Sequence, residues 1–297
     1  MANFNQTDDA ALLGTIIATE AVEKLKANLV LAKLVTRQFE REIPQNKTVS
    51  VPKYGAPTIG EKTAGSPASY SNMTITTEDI SLEKHFIWQT VVEDTLSVTT
   101  RQRVVENVSS QVSLYMAEAI ENYIATTIVG GVGGTIGTYG TAVTPSGIAI
   151  LAQNFNTEKA PITYPRNLII SPKGQHDLYE DNVYRQSYSI GGTEVIRDGR
   201  LVPLFGVNLY MSQIVPLSGA NYRGVSFIEP AVALVTAPLP MDTTPSVSSS
   251  TYIDPDTGLS IRVQMWYDPD YKGKAMSFEI LCGCAILRSE WVYEYKH

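Results

Sequence analysis

The segment from residue 47 to residue 93 restricts the possible folds of this chain more than any other stretch. It reads as one very long β-hairpin. The outgoing strand is KTVSVPKYG and the returning strand is MTITTEDISLEKHFIWQTVVE. Thr74, Thr76 and several β-branched residues alternate along the return, as a pleated ribbon requires. Between the strands, GAPTIGEKTAGSPASYSN is rich in Gly, Pro and Ser and reads as a mobile tip. A two-stranded ribbon is marginal on its own in water. So long a segment without a core of its own is unusual inside a compact domain. It becomes stable when it lies on something else, and in a repeating assembly that support is the neighbouring copy. The chain therefore reads as one built to be completed by its neighbours.

The next constraint follows directly. Over residues 95–129, Val105, Val108, Val112, Tyr115, Ala119 and Tyr123 recur by threes and fours and predict an amphipathic helix. Asp94 or Thr95 supplies a cap, and Gly130 and Gly131 a stop. At about 1.5 Å per residue such a helix is roughly 50 Å long. That is a spine, too long for a small compact domain.

The remaining elements are shorter. Residues 8–27 read as a helix capped by Asp8 or Asp9, with Leu12, Ile16, Val22 and Leu25 on its stripe. NLVLAKLVTRQFEREIP continues either as helix or as an extended arm, ended by Pro44. GGVGGTIGTYG (130–140) reads as a Gly-rich loop, 145–155 as a short helix, NLIIS (167–171) as a buried strand, and PKGQHDLYED as a helix with Pro172 in its first turn. Strands are expected within 188–215, over VSFIEPAVALVTAP (225–238), and over 259–267 and 276–295, the last two separated by DPDYKGK. The fold class is α+β, with β excess in the second half.

Charge narrows the partners. The chain has 297 residues, a net charge of −7 and a pI near 5.1. Nucleic-acid readers carry a basic patch or stripe; no Lys/Arg cluster of that kind is present here. A container for nucleic acid remains compatible, because a container need not grip its contents. Charged residues are 18% of the chain, below the usual quarter, as suits a protein that hides surface in subunit contacts. Two cysteines, Cys282 and Cys284, exclude a disulfide scaffold and suit a reducing compartment. The N-terminus has no basic segment followed by an apolar run. No apolar stretch reaches the length needed to span a bilayer, and no membrane partner is expected.

Motifs for chemistry fail on inspection. GAPTIGEKT (55–63) approaches a phosphate-binding loop, but Glu61 separates Gly60 from Lys62, Pro57 removes a backbone donor, and the segment joins two strands. The run 130–140 lacks the dinucleotide spacing in every register and follows a helix. His85, His176 and His297 lie too far apart in sequence for a zinc-binding helix motif. Cys282-x-Cys284 places both thiols on one face of a strand, and without further ligands the pair reads as small core residues. DPDTG (254–258) starts like a calcium loop, yet Gly258 and Met265 stand where ligands belong, so it reads as a turn. No catalytic, cofactor-binding or metal-binding residue is assigned.

Three segments carry a family resemblance. TVSVPKYGAPTIGEKTAGSP with ISLEKHFIWQTVVED resembles the extended loop of phage coat proteins and its return into the spine helix. GRLVPLFGVNLYMSQIVP resembles a recurrent pattern there: a Gly, apolar residues, a second Gly and a short strand ending in Ser and Pro. GLSIRVQMWYDPDYKG with FEILCGCAILRSEWVYEY resembles the closing strands of the peripheral domain. In order and spacing the chain is similar to the major capsid proteins of tailed bacteriophages, with the Hong Kong-type capsid fold. The resemblance implies an N-terminal arm over 1–46 and an extended loop over 47–90. It implies a peripheral domain of 91–135 plus 252–297, and an axial domain of 136–251. It further implies hexamers and pentamers closing an icosahedral shell around double-stranded DNA, held non-specifically. A portal and a decoration protein are further partners it allows. If Met1 is the native start, no scaffolding segment is fused ahead of the arm, and a separate scaffolding protein is expected. Lys53, Glu61 and Lys62 near the loop tip are candidates for salt bridges between copies; the alternative is that they are solvated. Two other functions compete: an encapsulin-like compartment shell of the same fold, and an α+β hydrolase using His176 with a distant Ser and Asp.

Overall fold

The computed structural model describes residues 29–39, 47–67, 71–94, 104–182, 184, 201–242, 247–253 and 260–297. The helix expected over 8–27, the start of the spine at 95–103 and the DPDTG turn lie outside them. Among the described residues, four helices and thirteen strands form three sheets.

The hairpin is present, but its return is two strands. β1 (Thr48–Tyr54) pairs antiparallel with β2 (Ile75–Ser81), from Thr48 opposite Ser81 to Tyr54 opposite Ile75. At Leu82 and Glu83 the chain leaves that ladder, and β3 (Lys84–Glu93) joins a different sheet. The break is dictated by packing. Leu82 is buried with Val49 and Ile80 against Ala233, Val235 and Leu287. The root of the hairpin therefore shares the core of its own chain, which the sequence reading did not foresee. The tip does not: residues 56–67 are exposed throughout.

The spine is helix α2 (Val104–Gly130), preceded by one helical turn, α1 (Leu31–Leu34). Its 27 residues span about 40 Å. The apolar stripe differs from the expected one. Val112, Met116, Ile120, Ile124 and Ile128 are buried, with Ala117, Glu121, Ala125 and Val129 beside them, whereas Tyr115 is 65% exposed. Two adjacent i, i+4 rows are buried because α2 has two partners, the sheets and the N-terminal arm with Leu29, Leu31, Ala32 and Val35.

The five-stranded sheet runs β10 (Val247–Ile253), β11 (Ser260–Asp268), β12 (Gly273–Ile286), β3, with β9 (Val232–Ala237) pairing the later half of β12. The six-stranded sheet runs β4 (Gly134–Gly137), β13 (Val292–Lys296), β8 (Asn221–Ile228), β5 (Arg166–Ile170), β6 (Val207–Met211), with β7 (Leu217–Ser218) paired to β8. Helices α3 (Pro145–Thr157) and α4 (Pro172–Glu180) cover this second sheet through Ile148, Leu151, Phe155 and Leu178. Pro172 stands in the first turn of α4 as expected, and both helices have side-chain caps that the sequence reading did not assign. The Thr144 and Ser171 hydroxyls accept from the amides of Gly147 and Gly174, each with Pro in the first turn.

Two expected continuous elements are divided. VSFIEPAVALVTAP is β8 and β9, split at Glu229–Ala231 so that each sheet receives one strand. The final stretch is β12 and β13, split at Ser289–Trp291 in the same way. The Gly-rich run is no plain loop, since β4 within it pairs parallel with β13. A Cβ on Gly133 would stand 2.2 Å from the Ser289 carbonyl oxygen, so glycine lets two backbones meet there. The two sheets thus exchange strands.

Candidate assembly surface

The surface that sets this chain apart is built from the hairpin outward. Its root is fixed by Val49, Ile80 and Leu82, and Gly283 is what permits the seat. A Cβ there would meet the Ser81 carbonyl oxygen at 2.2 Å, so β12 can pass under the break between β2 and β3 only with glycine at 283. Beyond the root, Tyr54, Ile59, Met73 and Ile75 are exposed apolar residues on the distal hairpin.

The three candidate contact residues are not brought together. Lys53 Nζ lies 3.7 Å from Glu290 Oε2 of its own chain, a half-exposed pair of small energetic consequence. The Arg288 guanidinium shares Glu290 and sits 4.7 Å over the Trp291 ring. Lys53 thus has an ion pair within one copy. Glu61 and Lys62 stand exposed on the tip.

A groove opens between β3 and α2. Phe86, Ile87 and Trp88 form one wall and Val112, Tyr115 and Met116 the other, around about 520 Å³, with Gln111 as a polar member. Ile87 is 55% exposed. Beside the groove, β3 is an edge strand among the described residues, paired with β12. Sequence reading missed these residues. It placed Tyr115 on the buried stripe, and an edge strand carries no sequence mark distinguishing it from an inner one.

Buried carboxylates tie the elements together. Glu121, 1% exposed in mid-spine, accepts from the backbone amides of Val30, Leu31 and Ala32 at 3.0, 2.9 and 3.0 Å. It satisfies the free donors at the start of α1 from some ninety residues away. Burial pushes its carboxyl up despite those three bonds. Glu294 on β13 receives Arg223 at 2.6 and 3.1 Å and the Tyr139 hydroxyl at 2.9 Å. Burial works to raise it, but the Arg223 and Tyr139 hydrogen bonds hold it below the usual carboxylate range. Glu279 on β12 is lowered likewise: burial opposes, and Arg262, Ser277 and His85 outweigh it.

Among the described residues, His176, His297, Ser171 and the two cysteines are held in structural contacts. His176 is exposed and reaches Glu180 of its own helix at 3.8 Å, an ordinary surface pair. The hydrogen-bonded Ser–His pair is Ser171 with His297, 2.7 Å apart, yet both are buried and the Ser171 hydroxyl is occupied as the α4 cap. Burial pushes the Cys282 and Cys284 thiols to about 12, which makes them inert core residues. No group of three or more metal-ligating side chains occurs among the described residues. No described helix is long and apolar enough to cross a membrane.

A helical arm on a spine helix, a protruding hairpin and two strand-exchanging sheets define the Hong Kong-type capsid fold, and solved structures agree. A chain of Mycobacterium phage Che8 matches with a TM-score of 0.67 at 17% identity, over 90% of each chain. The capsid of cyanophage P-SCSP1u matches at 0.65 and 17% identity, over 90% of this chain and 87% of that one. The SrpI encapsulin of Synechococcus elongatus matches at 0.52 and 15% identity, over 89% and 85%. No protein-family model and no curated protein matches the sequence.

Proposed function

We propose that this chain is the major capsid protein of a tailed bacteriophage. Copies of it assemble into hexamers and pentamers that close an icosahedral head around double-stranded DNA. The carrying observation is the hairpin, a ribbon rooted in its own core whose described tip residues are exposed, in a chain with the fold of shell proteins. Its role is structural, without catalysis. Its place is the virion, after assembly in the host cytoplasm. The encapsulin reading is the weaker of the two shell readings, since that likeness is lower than those to phage chains.

Within this reading, 1–46 is the N-terminal arm, 47–90 the extended loop, 91–135 with 252–297 the peripheral domain and 136–251 the axial domain. An acidic chain holds DNA weakly and lets it slide, with counterions screening the remainder. A separate scaffolding protein and a portal complete the assembly, with room for a decoration protein.

Negative-stain electron microscopy of the expressed chain, with sizing by light scattering, tests this. Closed shells or rings are the expected result. A uniform monomer whose hairpin tip resists protease would overturn it. Nuclease-protected double-stranded DNA in native particles identifies a phage head, and a packaged enzyme identifies a compartment.

A further inference from the structure

A buried histidine sits where the second sheet meets α4. His297 follows β13 and is 1% exposed, and Ser171, which joins β5 to α4, is 0% exposed. The His297 ring stacks on Tyr222 at 5.8 Å and meets Tyr295 edge-on at 6.2 Å. Gly174 lets the ring approach the first turn of α4, since a Cβ there would stand 3.1 Å from His297 Nε2. The His297 main chain is paired with Tyr222 in both directions, at 3.0 and 3.2 Å.

The partners fix where the ring's hydrogen lies. His297 Nδ1 is 3.2 Å from the Tyr295 carbonyl oxygen, which only accepts, so Nδ1 carries the hydrogen. In the neutral ring Nε2 is then a bare acceptor. It takes the Ser171 hydroxyl hydrogen at 2.7 Å, and Ser171 Oγ in turn accepts from the Gly174 amide at 3.1 Å. The relay from ring to hydroxyl to helix start is complete only with a neutral imidazole. A second ring proton makes Nε2 a donor. Ser171 Oγ then faces two donors, and its own buried hydrogen loses the acceptor it had.

The surroundings do little to offset that loss. On α4, Lys173 opposes a charged ring and Asp177 favours it, but Asp177 Oδ2 already lies 3.4 Å from Lys173 Nζ and accepts from the Val143 amide at 3.3 Å. From β8 and β13 the ring meets Tyr222, Gly224 and Tyr295, which bring no charge. Glu294 and Lys296 alternate to the other face of β13, where Arg223 holds Glu294. Burial pushes the His297 imidazole below its ordinary range; the Tyr295 carbonyl and Asp177 work against this, and Lys173 with it.

We infer that Ser171 and His297 form an acid-sensitive lock, which holds the first turn of α4 on the second sheet and opens when the imidazole takes up a proton. Because the folded value is depressed, the lock is fully closed above the unfolded value of about 6.5 and is lost as pH falls from there through the folded value. The far end of α4 keeps its own anchors, Leu178 in the core and the Tyr184 hydroxyl, which accepts from the Val202 amide at 3.1 Å. Opening therefore frees the first turn and not the whole helix. None of this depends on the shell reading.

Exchange of the imidazole C2 hydrogen, read by mass spectrometry on the full chain across about pH 4–8, gives a titration midpoint for each of the three histidines. The His297 midpoint is expected below that of the exposed His176. A midpoint equal to or above it overturns the inference. Ser171→Ala removes the hydrogen that Nε2 accepts, so the His297 midpoint moves up toward that of His176 while His85 and His176 stay in place. An unmoved His297 counts against the lock just as decisively. Amide exchange shows the opening itself. Corrected for its intrinsic pH dependence, protection of Gly174 and Gln175 falls below about pH 6.5 by up to about tenfold per pH unit, the limit for one proton, while Leu168 and Ile169 on β5 keep theirs. His297→Gln presents an amide oxygen to Ser171 at every pH and loses this dependence. Level protection of Gly174 in the unaltered chain, or the same fall in His297→Gln, sinks the proposal.

Discussion

Single residues decide how this chain's backbones approach one another. Gly283 lies where any Cβ would strike the Ser81 carbonyl. Gly283→Ala forces the hairpin root off β12, at a cost of about 1–3 kcal/mol, the range for overpacking a tight site. Urea unfolding at neutral pH reads this as a lower midpoint with unchanged slope. Glu121 acts over a longer sequence distance. Glu121→Gln replaces an acceptor-only group with one whose amide faces backbone donors, costing about 1–3 kcal/mol for donors left unsatisfied. Hydrogen exchange is the sharper measurement: the amides of Val30, Leu31 and Ala32 lose protection while those of mid-α2 keep theirs. Glu294 sets a pH dependence. Its folded pKa is depressed, so its stabilisation is full above the unfolded carboxylate value of about 4.3 and is lost as pH falls through the folded value. Below about pH 4.3, stability therefore falls more steeply in the unaltered chain than in Glu294→Gln, which urea midpoints across pH 3–7 measure.

At the scale of elements, the hairpin separates two roles that most ribbons combine. Its root contributes to the fold through Val49, Ile80 and Leu82, and the described residues of its tip, 56–67 and 71–74, are all exposed. Replacing residues 56–73 by a two-residue Asn-Gly turn, next to the Gly55–Thr74 backbone hydrogen bond, leaves monomer stability within about 0.5 kcal/mol. The same variant forms no closed shells. Calorimetry and electron microscopy on one preparation check both halves. The spine shows the complementary case. A helix with a single partner needs one stripe, but α2 lies between sheet and arm and buries two rows. One of them includes a carboxylate, Glu121, that a hydrophobic pattern places on the solvent side.

For the molecule as a whole, strand exchange between the sheets makes the body one cooperative unit. The chain crosses between sheets at Glu229–Ala231 and again at Ser289–Trp291. Neither sheet is complete without a strand delivered from the other, so thermal unfolding is expected as a single transition. Assembly has its own signature at this scale. If the contact between copies is apolar, particles persist at about 1 M sodium chloride, where charges are screened within about 3 Å, and sulfate promotes their formation. Assembly held by Lys53, Glu61 and Lys62 instead collapses as salt rises, and light scattering across a salt series separates the two.

The sequence by itself determined what depends on neighbours along the chain. The ribbon, the spine and its glycine stop, the helix from 145 and the helix with Pro172 in its first turn were legible, because alternation, helical spacing and turn chemistry are local properties. The same order of elements carried the resemblance that implied the fold. Only the tertiary structure decided which strands share a sheet, why β8 and β9 or β12 and β13 part company, and that a Gly-rich run holds a strand. It also decided which face of α2 is covered and that Lys53 is paired within its own copy. These outcomes depend on contacts between residues far apart in the chain. A pattern read along one segment registers that a side chain is apolar, but not which distant surface, in this copy or the next, it will meet.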